Sequence, residues 1–283
     1  SVFEMSSIGN IKLKNRILRS ATHEGLGDEN GHPKKELSAI YENLAKNNIG
    51  AIITGVVGIQ SNGKTMKNMR MFNTDEYIND YKSLNSDLKK HETPLILQVA
   101  HGGGTCSPKI TGEVAVAPTA IKLKGYPTKP KELSEKEIEH VIIKFVDSIE
   151  RAKKADFAGV QLHAAHGYLL SQFLSPHCNK RKDSWGGTTK NRFKIIKMII
   201  KEARRKVDNY PILIKISAHD GNKDGIKIQD SINIAELLED TGCDAIEVSC
   251  GSDDGFNCVR VSKIPITAAF KLVPWYKSMS PLK

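Results

Sequence analysis

Gly159-Val-Gln-Leu-His-Ala164, running on into Ala165-His166-Gly167-Tyr168, is the stretch from which the fold can be read. Its length and apolar content suit a strand buried on both faces, and such strands belong to parallel sheets covered by helices. Similar short apolar runs lie at 16–21, 51–55, 94–100, 211–217 and 245–250. Segments of helical periodicity separate them. The clearest begins at Ser134, has Glu137 three residues on to complete a capping box, and sets Ile138, Val141, Ile142, Phe145 and Ile149 on one stripe. Further helices are expected at 34–46, 75–89, 191–207 and 228–241. Strand alternating with helix predicts a parallel α/β protein. An open doubly wound sheet and a closed barrel share this local pattern, so the alternation leaves both open. No G-x-G-x-x-G follows the first strand, and Gly102-Gly103-Gly104 after the third is too short a signal to assign a phosphate site.

Composition narrows the function classes. A hydrophobic fraction of 39% with 6% aromatics is that of a globular protein with a core, not of a disordered chain. The net charge of +10 would suit a nucleic-acid or anionic partner. Yet Lys194, Lys197 and Lys201 alternate with Phe193, Ile196, Ile199 and Ile200, as on the solvated face of an amphipathic helix, and no basic motif with interleaved aromatics occurs. No nucleic-acid partner is expected. No apolar run reaches the roughly 18 residues of a membrane span, and the start lacks the pattern of a secretory signal, so a cytoplasmic protein without a membrane partner is expected. Cys106, Cys178, Cys243, Cys250 and Cys258 are scattered and odd in number, which predicts buried reduced thiols. The segment 102–133 is long and rich in Gly, Pro and Thr, and is expected to cover a site. Without a repeat or linker to divide it, the chain is expected to form one domain, 1–283.

His163 and His166 stand at the end of the fourth strand, at the sheet edge where parallel α/β proteins bind ligands. Two imidazoles so spaced can converge on one substrate oxygen, with the Tyr168 phenol as a nearby acid. They could equally be satisfied by backbone carbonyls or hold a metal, although no third ligand at metal-like spacing is evident. The local pattern leaves these readings open.

A longer stretch carries a resemblance. His163-Ala-Ala-His-Gly-Tyr-Leu-Leu-Ser-Gln-Phe-Leu-Ser-Pro176, with Asn179, Arg181, Asp183, Gly186-Gly187 and Asn191-Arg192 after it, resembles the central signature of the old yellow enzyme family of flavin-dependent ene-reductases. Lys14-Asn15-Arg16-Ile17, Ser20-Ala21-Thr22, Gln98-Val-Ala-His101-Gly102-Gly103, Ala117-Pro118-Thr119-Ala120-Ile121 and Lys215-Ile-Ser217 are similar to family segments in the same order, so the likeness covers residues 1 to about 255. It implies a TIM (β/α)8-type barrel with FMN at the C-terminal rim, NADH or NADPH as reductant and a small-molecule electron acceptor of enone type. It also implies a homo-oligomer. Gln98 would bond the flavin pyrimidine ring, Lys215 would stabilise the negative charge of the reduced ring, and Ser20, Ala21 and Thr22 would pass beneath it. A lone lysine in the apolar run around Ile212 and Ile216 is otherwise hard to expose. His163 and His166 would hold the acceptor oxygen, and Tyr168 would protonate the α-carbon.

Three features depart from the family. His23 stands where many members carry Thr or Cys, and Gly25 where some carry Tyr. The family pattern continues through two more strand–helix units, whose loops bind the FMN phosphate, whereas the tail from Phe256 to Lys283 contains Pro265, Pro274 and Pro281 and no glycine. About six units are therefore expected, in a C-terminally incomplete barrel whose first and sixth strands have unpaired edges. A barrel remnant with weak FMN binding and little activity is the alternative this implies, and a metal-dependent barrel hydrolase built on His163 and His166 is a third. Clustered cysteines beyond the barrel are lacking, so no iron–sulfur cluster is expected.

Overall fold

A computed structural model of the chain describes residues 1–251 and the backbone of the strand Ala269–Leu272. Six parallel strands follow one another in chain order across one sheet: Leu18–Arg19, Ala51–Ile53, Leu95–Ala100, Gly159–Ala164, Ile212–Ser217 and Ala245–Ser249. They are called the first to sixth strands below. Val57–Gly58 adds a short parallel pairing with the end of the third strand and in turn pairs Arg70–Met71.

The sheet is strongly curled. Laid flat, strands one and six would be about 24 Å apart, five spacings of roughly 4.8 Å. Instead Ser20 Oγ, just past the first strand, lies 2.5 Å from Glu247 Oε1 on the sixth. Period-2 alternation then divides each strand between the concave and convex sides. On the convex side Leu97, Val99, Val160, Leu162, Ile212, Ile214 and Ile246 pack against the helices in the main core. On the concave side Ala51, Ile53, Ile96, Leu213 and Ala245 meet Ile8, Ile11 and Leu13. Those last three come from a small antiparallel hairpin, Ser6–Ile8 with Ile11–Leu13, that plugs the amino-terminal end of the half-barrel. Farther along the same strands the inward positions become polar. Gln98, Gln161, Lys215 and Glu247 are next, so the apolar plug forms the floor and the polar layer lies above it.

The helices form where their apolar stripes predict. Glu135–Lys154 has both bonds of its Ser134–Glu137 capping box, and buries Ile138, Val141, Ile142, Phe145 and Ile149. Each such side chain contributes roughly 1.5–3 kcal/mol on full burial. Thr188 caps Thr189–Val207, which therefore starts two residues before 191. The helix expected at 34–46 is Glu36–Lys46, because Lys34 still donates its N–H to Leu26 O at 2.9 Å. The one expected at 75–89 opens with a 3-10 turn, Asp75–Tyr77, before Ile78–Lys89. The last is Ile228–Glu239; Gly242, at φ +80°, turns the chain in a conformation that suits glycine.

Two expectations are corrected. The sixth strand does not have a free edge: Ala269–Leu272 pairs with it antiparallel, Val248 opposite Ala269. A four-residue strand fits between prolines where a longer element could not. The outer edge of Leu18–Arg19 has no partner strand among the described residues. The cysteines also differ from expectation, since Cys106, Cys178 and Cys243 are buried but Cys250 is only partly so. Cys258 lies outside the described residues. No helix among the described residues is long and apolar enough to cross a membrane.

Candidate active site

The polar layer is one connected network. Gln98 and Gln161 are opposite each other on the third and fourth strands, His163 and Lys215 on the fourth and fifth, Lys215 and Glu247 on the fifth and sixth. Register thus places side chains far apart in sequence on one concave surface. Gln98 Nε2 donates to Gln161 Oε1 at 2.7 Å, and Gln161 Nε2 to Glu247 Oε2 at 2.8 Å. Lys215 Nζ is 2.9 Å from Glu247 Oε1 and donates at 2.9 Å to Ser20 Oγ. All but Ser20 are at most 3% exposed. An isolated buried ammonium would be prohibitively costly, so the carboxylate is what allows Lys215 to stay at this depth.

Above this layer the chain leaves the fourth strand through two left-handed residues, His166 at φ +59° and Gly167 at φ +78°. The conformation is uncommon for histidine. It is held by Ser217 Oγ, which accepts from the His166 backbone N–H at 3.2 Å, and by Ser249 Oγ, 2.6 Å from His166 Nε2. The turn brings His163, His166 and Tyr168 together: the ring centroid of His163 is 5.0 Å from that of His166 and 4.8 Å from that of Tyr168, both edge to face. Tyr168 rests on Val56, Met69 and Ala100.

Electrostatics keep both imidazoles neutral at pH 7. Burial pushes His163 well below its usual range, and the charge His166 takes on when protonated and that of Lys215 act in the same direction. His166 is lowered to about 4, by burial first and then by Lys215, with Glu247 opposing. A neutral imidazole has one donor and one acceptor nitrogen. His163 Nδ1 is buried without a partner, a polar atom that a ligand could satisfy.

Of the segment Ser20-Ala21-Thr22, only the Ser20 hydroxyl joins the network; Ala21 packs against the inner apolar cluster and Thr22 is exposed. At the departures from the family pattern, Asn68 Nδ2 donates to Gly25 O at 2.9 Å, and a Cβ on Gly25 would come within 2.8 Å of that nitrogen. A side chain there would displace Asn68. Next to them Glu24 bonds Arg19 at 2.9 Å, Arg70 at 2.8 Å and the Tyr41 hydroxyl at 2.7 Å, an ion cluster behind the second strand. His101 is locked by Asn62 Oδ1 at 3.0 Å and the Gly103 N–H at 3.0 Å, and burial lowers it to about 4.

The segment 102–133 is pinned across the loop that follows the fourth strand. Arg181 Nη1 donates to Pro118 O at 2.9 Å and Leu133 O at 2.7 Å, and its Nη2 pairs with Asp183 at 2.6 Å. Gln172, fully buried, bonds the backbones of Gly102, Gly104 and Gly167.

Gln161, Glu247 and Ser249 were not among the residues singled out from the sequence. The signal for Glu247 was present: a charge within Ala245-Ile246-Glu247-Val248, the same anomaly that marks Lys215. Among the described residues no three His, Cys, Asp or Glu side chains gather as a metal site would require.

The donor set suits a flat heterocycle with alternating C=O and N–H groups on one edge. Gln98 retains its carbonyl oxygen as an acceptor, Lys215 has three N–H donors of which the network uses two, and the pair Lys215–Glu247 balances charge, as a neutral ring requires. An FMN ring therefore fits the residues present.

Comparison with known proteins points the same way. The NADH:flavin oxidoreductase / NADH oxidase family matches residues 1–253. The chain is 33% identical over 254 residues to an NADH oxidase of Thermoanaerobacter brockii, a match that takes in 89% of this chain and 39% of that protein. It is 32% identical over 252 residues to an NADPH dehydrogenase of Geobacillus sp. (strain WCH70), spanning 73% of it. Among solved structures, an old yellow enzyme homologue from Zymomonas mobilis superposes with a TM-score of 0.81 at 23% identity, over 88% of this chain and 73% of that one. A 2-naphthoyl-CoA reductase in complex with 2-naphthoyl-CoA gives 0.85 at 24%, over 89% of this chain and 41% of that one. At such identities the structural likeness shows the fold.

Proposed function

The chain belongs to the NADH:flavin oxidoreductase / NADH oxidase family, and from that premise we propose that it is an FMN-dependent NAD(P)H oxidoreductase reducing activated C=C bonds of enone type. The observation that carries this reading is the convergence of His163, His166 and Tyr168 directly above the layer containing Gln98 and Lys215. When bound, FMN supplies a two-electron carrier between NAD(P)H and the acceptor.

The chain's own residues do the rest. Gln98 and Lys215 hold the ring edge, and Ser20 orients Lys215. Held neutral by burial, His163 and His166 act as hydrogen-bond donors to the acceptor's carbonyl oxygen, and serve as an oxyanion site as charge develops there. Ser249 and Ser217 fix His166 for that task, and the orphaned His163 Nδ1 marks the place of a missing partner. Tyr168, packed against the His163 ring, supplies the proton to the α-carbon. The segment 102–133 covers the site and limits water.

The test is to load the protein with FMN and follow the two half-reactions separately by stopped flow. NAD(P)H should bleach the flavin absorbance, and 2-cyclohexenone should restore it under anaerobic conditions. Bleaching without any reoxidation by enones would overturn the acceptor class and leave the flavin assignment standing.

A further inference from the structure

Glu247 belongs to the polar layer beneath His163, His166 and Tyr168, and it is where the buried network converges. It is 1% exposed and accepts from Lys215, Ser20 and Gln161 at 2.9, 2.5 and 2.8 Å. Two consequences follow from its chemistry.

The first concerns direction. A primary amide can turn over by half a rotation with little change of shape, so its donor and acceptor ends are set only by its neighbours. A carboxylate only accepts. Gln161 must therefore point Nε2 at Glu247, which leaves its Oε1 for Gln98. Gln98 must in turn give its Nε2 to Gln161, and its own Oε1 is left as the atom to meet a ligand N–H. The orientation of Gln98 is thus imposed from the sixth strand, two strands beyond its immediate neighbour.

The second concerns charge. Lys215 and Glu247 form an ion pair at 2.9 Å with both side chains at most 4% exposed. Ser20 accepts from Lys215 and donates to Glu247, closing a triangle that holds the ammonium against the carboxylate. In so dry a place the negative charge offsets much of the field that Lys215 would exert on a neighbouring ring.

We propose that Glu247 is a positioning residue for the flavin: it fixes which end of the Gln98 amide faces the ring, and by offsetting Lys215 it holds bound FMN at a lower reduction potential than an unopposed lysine would. This rests on the FMN reading above. Opposite charge stabilises the reduced ring, which carries negative charge, so removing the carboxylate raises the potential.

The experiment measures, on FMN-loaded protein, the flavin midpoint potential and the FMN dissociation constant for the parent, Glu247→Gln, Glu247→Asp and Gln161→Leu. Glu247→Gln should favour reduced over oxidised FMN by about tenfold or more, about 30 mV upward for a two-electron couple. Glu247→Asp, which keeps the charge, should stay near the parent. Gln161→Leu leaves the ion pair intact but cuts the amide relay, and should weaken oxidised FMN binding about tenfold with little change in potential. It also carries the test should Glu247→Gln fail to fold. A role in folding alone would lower the melting temperature and leave the potential where it was. An unchanged potential in Glu247→Gln, or unchanged FMN affinity in Gln161→Leu, would overturn the inference while the parent still bound flavin. A parent that bound none would defeat the FMN reading itself.

Discussion

Lowering the pH from about 7 to about 5 should destabilise this protein substantially, because it buries histidines in neutral form. His101 and His166 are each lowered to about 4, in both cases chiefly by burial, against an ordinary value of 6.5. Between those two values the unfolded chain takes up a proton that the folded chain refuses. Stability is therefore full above roughly pH 6.5 and falls as the pH drops toward 4. From pH 7 to pH 5 each such histidine costs about 2 kcal/mol, so the pair costs about 4 kcal/mol, and His163, shifted in the same direction, adds to this. That is a large part of the roughly 5–15 kcal/mol that usually separates folded from unfolded chains. Carboxylates act in a lower window: Glu137, held at about 2 by Lys131 and by its Ser134 capping bonds, is lost only below its unfolded value of 4.5. Urea denaturation followed by far-UV circular dichroism at several pH values reads the slope directly. His101→Gln lies outside the proposed catalytic group and should remove about one proton's worth of that slope. A stability that stayed flat between pH 7 and 5, or a His101→Gln variant as steep as the parent, would refute the reasoning.

Other outcomes follow from the same geometry. Replacing both His163 and His166 with Ala should abolish binding of phenols, which mimic an enolate oxygen, while FMN remains; titrating the FMN-loaded parent and variant with a phenol by isothermal calorimetry checks this. Tyr168→Phe keeps the ring packed on Val56 and Met69 and removes the phenolic hydroxyl, so reduction by NAD(P)H should persist while reoxidation by an enone slows about 10²- to 10⁴-fold. Lys215→Met leaves Glu247 buried without its cation and should cost roughly 3–5 kcal/mol in denaturant titrations, most of it recovered in Lys215→Met/Glu247→Leu.

The strands could be read from the sequence because a strand buried on both faces shows as an apolar run in which any charge stands out, whereas the candidate site residues came chiefly from the likeness to a known family. Lys215 was singled out by the family likeness and supported by its place in an apolar run, and Glu247 has the same signature but no motif to draw attention to it. What ties them to Ser20 is sheet curvature, which sums small twists between neighbouring strands and leaves no local trace. The hairpin Ser6–Ile8 with Ile11–Leu13 was illegible for another reason: three-residue strands are too short to show a period, and their burial is imposed by the floor they plug. The same holds for Leu169–Leu174, which reads as part of a motif and whose six residues are all buried, so it displays no amphipathic stripe. His166 shows the limit most clearly. Its left-handed backbone, which brings His163, His166 and Tyr168 together, depends on Ser217 and Ser249 from two later strands.

The central claim, a flavin ring held over the concave polar layer, is tested most directly by the absorption spectrum of the protein after incubation with FMN and removal of the free flavin. Bound oxidised flavin, with bands displaced from those of free FMN and lost when Lys215 and Gln98 are both replaced by Met, is the predicted result. A parent spectrum without flavin, together with stoichiometric zinc in the same sample, would contradict it.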